Sequence, residues 1–334
     1  MAQESSDRFA MPPSDLIIRA GATPGADVAA EYVVGAAGMK DMLMSLLEQN
    51  GGPASPGAPK VLDFGCGAGN VIRHFHAEAE SGEVWGCDID ERSIDWLRSN
   101  LTPPFNFQAL SSRPALALPS DHFDLVYAIS VFTHLADDWA AWLLELRRVL
   151  GPTGILVLTF LGEGMAEAER AAPWDEDRVG MNVLRHGQDW EGGGPTVFLS
   201  DWWIRAHWGR AFEILDIHHD RDEHGEVVPH THGYVLARKR QGSFTSEQLT
   251  ALEPDEPRET AALVRNIEQL HADDRELRDL LVEAVRRGDT EHEWRVAAQQ
   301  RVAELENLRA RGPAARLARL VQRRLAARSS RTPL

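Results

Sequence analysis

Between residues 60 and 161 short apolar runs alternate with amphipathic stretches at close intervals, and few folds accept that alternation. Lys60–Phe64, Glu83–Asp88 and the runs 105–110, 123–130 and 155–161 read as strands. The run 123–130 is apolar almost without a break, as expected of a strand buried on both faces. Residues 70–80 and Glu91–Leu101 read as helices. Trp139, Trp142, Leu143, Leu146, Val149 and Leu150 fall at helical spacing behind Asp137, a residue type that caps helices, and "GPTG" at 151–154 predicts that helix's end. Strands joined by helices over short connections form a parallel sheet with right-handed crossovers.

The flanks divide by composition. Residues 1–26 are polar and proline-bearing and predict a flexible N-terminus. A helix is expected over 27–49, with Met39, Met42, Leu43, Leu46 and Leu47 on one face. The domain then runs from 27 to 240. It includes an irregular, charged stretch over 162–199, a short helix capped by Ser200 and two late strand-like runs at 211–219 and 233–239. Residues 241–259 read as a linker. Over 260–310, Leu263, Ile267, Leu270, Asp274, Leu277, Leu281 and Ala284 trace an a/d heptad seam, which predicts a coiled coil or an amphipathic helix folded back on the domain. The tail 311–334 is basic and amphipathic, and from Arg309 onward there are eight arginines and no acid. It suits either an anionic membrane surface or the acidic body of the same chain.

The net charge of −16 argues against nucleic-acid binding by the body. No apolar run reaches the ~18 residues of a membrane span. Cys66 and Cys87 are too few for a disulfide framework and read as small buried hydrophobes of a reduced, cytoplasmic protein.

The stretch "VLDFGCGAGN" (61–70) carries the ligand chemistry. A glycine-rich turn from a strand into a helix lets a ligand approach the backbone, and the helix start offers N–H groups. A dinucleotide site wants G-x-G-x-x-G, whereas Gly65, Gly67 and Gly69 form G-x-G-x-G. Asp63 precedes the loop, where an acid repels a pyrophosphate and suits an ammonium group. Asp88, ending the second strand, is placed to accept from both hydroxyls of a ribose. Ile89 beside it can lie on an adenine face. Ribose, adenine and an amino-acid end describe S-adenosylmethionine better than a nicotinamide dinucleotide.

"VLDFGCGAG", "VWGCDID", "FDLVYAISVFTHL" and "LRRVLGPTGILVLT" resemble, in order and spacing, the motifs of class I S-adenosylmethionine-dependent methyltransferases, over about residues 30–240. The resemblance implies a Rossmann-like, seven-stranded, mostly parallel α/β sheet with an antiparallel edge hairpin formed by 211–219 and 233–239. It implies that Asp63, Gly65, Gly67 and the backbone near Cys66 cradle the methionine part, that Asp88 takes the ribose, and that Ile129 and Ser130 line the methyl-donor pocket. The chain lacks the acid that many relatives carry after the third strand, so Ser111, Ser112 or backbone groups would read the adenine. "SVFTHL" with "WLLELRRVLGPTG" looks most like methyltransferases of glycan, nucleotide-sugar or natural-product sugar modification, some of which carry C-terminal coiled coils.

Methyl transfer to a hydroxyl gains from a general base. His134, just beyond the fourth strand, is the first candidate, with orientation of the following loop as its other reading. Glu163 is the second and His186, within the 162–199 stretch, the third. His218, His219, His224, His230 and His232 fall close together but lack metal-ligand spacing, so no metal is expected. Trp202, Trp203 and Trp208 read as core before sugar platform. The expected activity is O-methylation of a sugar or glycan-related acceptor. A natural-product acceptor, an inactive scaffold acting through its coiled coil and a nicotinamide oxidoreductase are the alternatives. Self-association through 260–310 and a peripheral contact of 311–334 with the inner membrane face complete the expectations.

Overall fold

The computed structural model describes residues 9–20, 28–55, 57–111, 113–166, 174–187 and 194–287. The chain enters through α1 (Ser14–Arg19) and α2 (Val28–Gln49) and reaches β1 (Lys60–Phe64). A 3-10 turn at Ile72–Phe75 leads into α3 (His76–Ser81), β2 (Glu83–Asp88), α4 (Glu91–Leu101) and β3 (Asn106–Ala109). Then come β4 (Phe123–Ala128), α5 (Trp139–Val149), β5 (Leu150–Phe160) and α6 (Glu163–Ala166). The late elements are β6 (Met181–Leu184), β7 (Thr196–Leu199), α7 (Asp201–His207), β8 (Phe212–His218), β9 (Gly233–Lys239), α8 (Ser246–Thr250) and α9 (Pro257–Arg287).

Seven strands form one sheet in the order β3-β2-β1-β4-β5-β9-β8. The first five run parallel, and β9 is antiparallel to both β5 and β8. This is the Rossmann-like α/β sheet with an antiparallel edge hairpin. Strand alternation divides the core in two. Leu62 and Phe64 face one side with Val126, Leu156 and Leu158, under Trp142, Leu143 and Leu146 of α5. Val61, Leu125, Tyr127, Ile155 and Val157 face the other, under Leu43 and Leu47 of α2 and Ile94, Leu97 and Leu101 of α4. Apolar residues on both faces make a parallel strand unstable anywhere but mid-sheet.

Several local expectations change. The helix expected over 70–80 is a 3-10 turn followed by the short α3. "GPTG" does not stop α5 in a loop, because β5 starts at Leu150 and runs through it, with a register shift opposite Phe123 and Leu125. A Cβ at Gly154 would lie 2.6 Å from the Phe123 carbonyl oxygen, so only glycine permits that approach. The stretch 162–199 is not wholly irregular: β6 and β7 pair as a separate antiparallel two-stranded sheet, with Leu184 opposite Thr196.

Both flanks dock more firmly than their composition suggests. The sequence predicts a flexible 1–26, yet residues 9–20 pack on the domain: Leu16 and Ile17 are buried. The buried Arg73 donates to the Ala10 carbonyl at 2.7 Å. Residues 241–259, expected as a linker, contain α8, closed by a capping box between Thr245 and Gln248. Leu249 is fully buried, and Arg210 donates to the carbonyls of Gln248, Leu249 and Ala251.

The start of α9 is held by a buried pair. His207 Nδ1 meets the Leu249 carbonyl at 2.8 Å and Nε2 meets Glu259 Oε1 at 2.8 Å, while the ring stacks on Trp203 with centroids 4.4 Å apart. Both ring nitrogens face oxygen atoms. Asn266 then bridges to β6, donating to the Met181 carbonyl at 2.7 Å and accepting from Asn182 at 2.6 Å. A Cβ at Gly180 would lie 2.9 Å from Ala262 Cβ, so helix and hairpin are in close contact. Leu263, the first seam residue, is buried on the domain, so the seam begins as an intramolecular contact. The remainder of the predicted coiled coil, 288–310, and the basic tail 311–334 lie outside the described residues.

Candidate functional site

The parallel strands end at a cavity of about 940 Å³. Open α/β sheets collect ligands at this edge, and the volume is at the upper end for small-molecule sites, enough for a cofactor with a second molecule. Its walls come from the glycine loop, the ends of β2 and β4, the strap around α1, and the β6–β7 hairpin.

At one end lies the glycine loop. Gly65, Gly67 and Gly69 all have positive φ (82°, 51° and 85°), which glycine adopts without strain. The loop's amides are committed internally: Gly65 and Cys66 donate to the Cys87 carbonyl at 2.7 and 3.0 Å, Gly67 to Asp88 Oδ2 at 2.7 Å, and Gly69 to the Cys66 carbonyl at 2.9 Å. The N–H groups expected to meet a ligand are therefore spent at these four positions.

Gly65 and Gly67 line the cavity, whereas Gly69 packs its Cα toward Leu97 and Cys66 is buried behind the loop. Cys66 and Cys87 are free thiols, and burial pushes both well above the usual thiol range. Asp63 is displaced from its expected role at the wall. Strand alternation turns it into the core beside Tyr127, whose hydroxyl donates to Asp63 Oδ2 at 2.8 Å. Burial pushes its carboxyl up to about 8, helped by the charge of Asp88 and opposed by the Tyr127 hydrogen bond. An acid with a raised folded pKa adds stability only while protonated. Its contribution is present at low pH and is lost as pH rises from the unfolded value of 3.8 through about 8. Asp63→Asn is therefore expected to gain stability over the wild type progressively from about pH 4 to about pH 8. Denaturant unfolding at several pH values checks this, and a constant difference would mean that Asp63 ionises freely in the fold.

Asp88 lines the cavity. Each oxygen accepts one amide, Oδ1 from Asp90 at 2.8 Å and Oδ2 from Gly67 at 2.7 Å, leaving lone pairs for two further donors. Burial raises its pKa, with the amides of Asp90 and Gly67 opposing. Ile89 lines the cavity half exposed, and Ser111 borders the same end. The strap was not legible as part of the site. Ile18, Arg19 and Ala20 line the cavity, and Arg19 pairs with Asp90 at 3.1 Å.

The other end gathers polar groups from β4, the hairpin and the edge strands. Ile129 and Ser130 line it. Ser130 has a φ of 56°, a conformation that side chains rarely adopt, held by its amide donating to Thr159 Oγ1 at 2.7 Å. Its hydroxyl meets His232 Nδ1 at 3.3 Å. His134 also lines the cavity, and its Nδ1 meets the Pro195 carbonyl at 2.8 Å. A carbonyl only accepts, so Nδ1 carries the proton and the neutral ring's basic atom is Nε2. His186, between the lining residues Arg185 and Gly187, does not itself line the cavity, and its Nε2 lies 3.4 Å from Asp137 Oδ1. Glu163 begins α6 exposed and does not line the cavity, because that helix turns it outward.

The histidine cluster disperses. His218 stacks on Tyr234, His219 meets Asp201 at 2.9 Å, and His232 turns to Ser130. Among the described residues no three His, Cys, Asp or Glu side chains are placed to hold a metal ion. Trp202, Trp203 and Trp208 are core residues, buried with α5 and β5.

Residues 61–154 match a family model described as "Methyltransferase domain". Two curated relatives are similar over about a third of the chain. A 2-methyl-6-phytyl-1,4-hydroquinone methyltransferase of Synechocystis is 32% identical over 121 residues, covering 35% of this chain and 37% of that protein. A mitochondrial arginine hydroxylase of Rattus norvegicus is 31% identical over 104 residues, covering 31% and 29%. The chain thus spans about a third of the length of the curated relatives it matches. Among solved structures, a magnesium protoporphyrin IX methyltransferase of Synechocystis, with bound S-adenosylhomocysteine, aligns at TM-score 0.43 and 17% identity over 68% of this chain and 94% of that one.

Proposed function

We propose that residues 27–240 form a methyltransferase domain that uses S-adenosylmethionine and methylates a hydroxyl of a sugar or glycan-related acceptor. The observation that carries the reading is the pairing, across one cavity, of Asp88 beside an amide-spent glycine loop with His134 held in a single tautomer. The domain match over 61–154 supports the reaction class. The saccharide class rests on the resemblance of the "SVFTHL" and "GPTG" motifs alone.

S-adenosylmethionine supplies a methyl group activated on a sulfonium. Asp88 holds the ribose hydroxyls with its remaining lone pairs, Ile89 offers apolar surface to the adenine, and Ser111 borders it. Gly65 and Gly67 allow close backbone approach to the methionine end, and Ile129 and Ser130 border the methyl-donor region. His134 Nε2 accepts the acceptor's proton while Nδ1–H stays on the Pro195 carbonyl, so the ring keeps its orientation through the charge change. Alignment by the cavity walls supplies much of the remaining rate gain.

Titration of the full chain with S-adenosylmethionine, S-adenosylhomocysteine and NADH tests the cofactor. Labelled S-adenosylmethionine incubated with fractionated nucleotide sugars, lipid-linked glycans and small metabolites tests the reaction. Cofactor binding without label transfer supports the scaffold reading, and NADH binding in its place supports the oxidoreductase. Asp88→Ala is expected to weaken S-adenosylhomocysteine binding about ten- to a hundredfold, the loss of hydrogen bonds to a charged group. Calorimetry reads it, and unchanged affinity would remove Asp88 from the ribose. Self-association through 260–310 and contact of 311–334 with an anionic inner-membrane face remain parts of the proposal, tested by sedimentation and by liposome flotation with and without the tail.

A further inference from the structure

Residues 9–20 meet the domain in two ways. The first part is anchored in the core: Phe9 packs on Phe105 with centroids 5.4 Å apart, Arg73 donates to the Ala10 carbonyl, and Leu16 and Ile17 are buried. The last three residues, Ile18, Arg19 and Ala20, reach the cavity instead. They arrive beside the residues that surround Asp88. Ala20 abuts the glycine loop, since a Cβ on Gly67 would lie 3.1 Å from Ala20 Cβ. Arg19 pairs with Asp90 at 3.1 Å, and Asp15, one turn earlier on α1, pairs with Arg92 of α4. The Arg19–Asp90 contact ties together the segments that carry Ile18 and Ile89, the residues preceding its two members. Both isoleucines line the cavity, and both are exposed, at 40% and 50%. Open apolar surface beside a few polar groups is the make-up of a small-molecule site.

We propose that Ile18 is the second wall of the cofactor's nucleoside site: the purine lies between Ile18 and Ile89, and residues 9–20 close over it. The proposal rests on reading Asp88 as the partner of the ribose, and it adds a wall that comes from outside the sheet. A ribose held at Asp88 leaves its base beside Ile89, the next residue. A flat ring seated on Ile89 alone keeps its other face in water. Ile18, tethered through the Arg19–Asp90 pair, is the apolar side chain that covers that face, and burial of the second face strengthens binding. The same contact works in reverse. A ligand that binds better to the closed segment suppresses its opening by the factor that the segment adds to the affinity. The cofactor thereby locks the N-terminal segment onto the domain.

The test is calorimetric titration of the full chain with S-adenosylhomocysteine in one arm and adenosine in the other, comparing wild type, Ile18→Ala and Ile18→Leu. Ile18→Ala is expected to weaken both ligands by the same factor, about five- to thirtyfold, from the apolar area removed. Its unfolding midpoint is expected to stay unchanged, because the buried anchors Leu16 and Ile17 are kept. Ile18→Leu keeps the apolar area and is expected to bind as wild type does. Saturating S-adenosylhomocysteine is expected to slow tryptic cleavage after Arg19 by at least the same factor in wild type, and by less in Ile18→Ala. Ile18→Ala binding both ligands as wild type does, weakening of S-adenosylhomocysteine alone, or cleavage unaffected by ligand overturns the proposal. A lowered midpoint in Ile18→Ala that Ile18→Leu does not rescue also overturns it. Wild type binding adenosine but not S-adenosylhomocysteine overturns the methyltransferase reading instead, and the adenosine arm then decides the slot. Wild type binding neither overturns both.

Discussion

Replacing His134 with alanine is expected to lower methyl transfer about 10²–10⁴-fold, the usual contribution of a positioned acid or base, while S-adenosylhomocysteine binds as before. The affinity is expected to hold because His134 and Asp88 line the cavity from different elements, His134 beyond β4 and Asp88 at the end of β2. His134→Asn is a sharper probe. If the ring only orients its loop, an amide that donates to the Pro195 carbonyl restores activity. If Nε2 removes a proton, the amide stays slow. Full activity in both variants would leave the reaction without a base, dependent on alignment alone.

The second large effect concerns stability. Glu259→Ala is expected to cost about 3–5 kcal/mol, because it leaves His207 buried opposite an empty place. The Glu253 amide, which donates to Glu259 Oε1 at 3.0 Å, loses its partner as well. Replacing both members with leucine is expected to cost less than the single change, since a buried ion pair gives little net stability over apolar packing. Urea unfolding followed by tryptophan fluorescence reads both variants, with Trp203 stacked on His207 as the local reporter. A single change costing under about 1 kcal/mol would place the pair on the surface in solution.

The sheet was legible because a strand buried on both faces leaves an unmistakable pattern, as in "FDLVYA" of β4. Asp88 and His134 were legible because a strand's C-terminal end can be located to within a residue or two. Asp63 was read at the right place in the chain and on the wrong side of the strand. One residue of alternation separates the loop wall from the core, and composition does not set which face the acid takes. Arg185 and Thr133 were hidden for another reason. Their shared place at the cavity depends on the β6–β7 pairing and on the Val197 to Thr133 bond, the latter a contact across 64 residues that no local pattern announces. The docking of 241–259 was masked by polar composition, although Thr245 and Gln248 in a capping-box spacing carried the signal.

The join between α9 and the hairpin bears on how such a chain can be inherited. Gly180 admits Ala262 at close range, and Asn182 with Asn266 forms a matched pair. A recombination event that exchanged the C-terminal helix with that of a distant homologue would bring a larger residue against Gly180 and break the asparagine match, next to the wall that holds Arg185. The helix and the hairpin are thus expected to descend together, with correlated substitutions at 180, 182, 262 and 266, even where the remainder of the extension diverges freely.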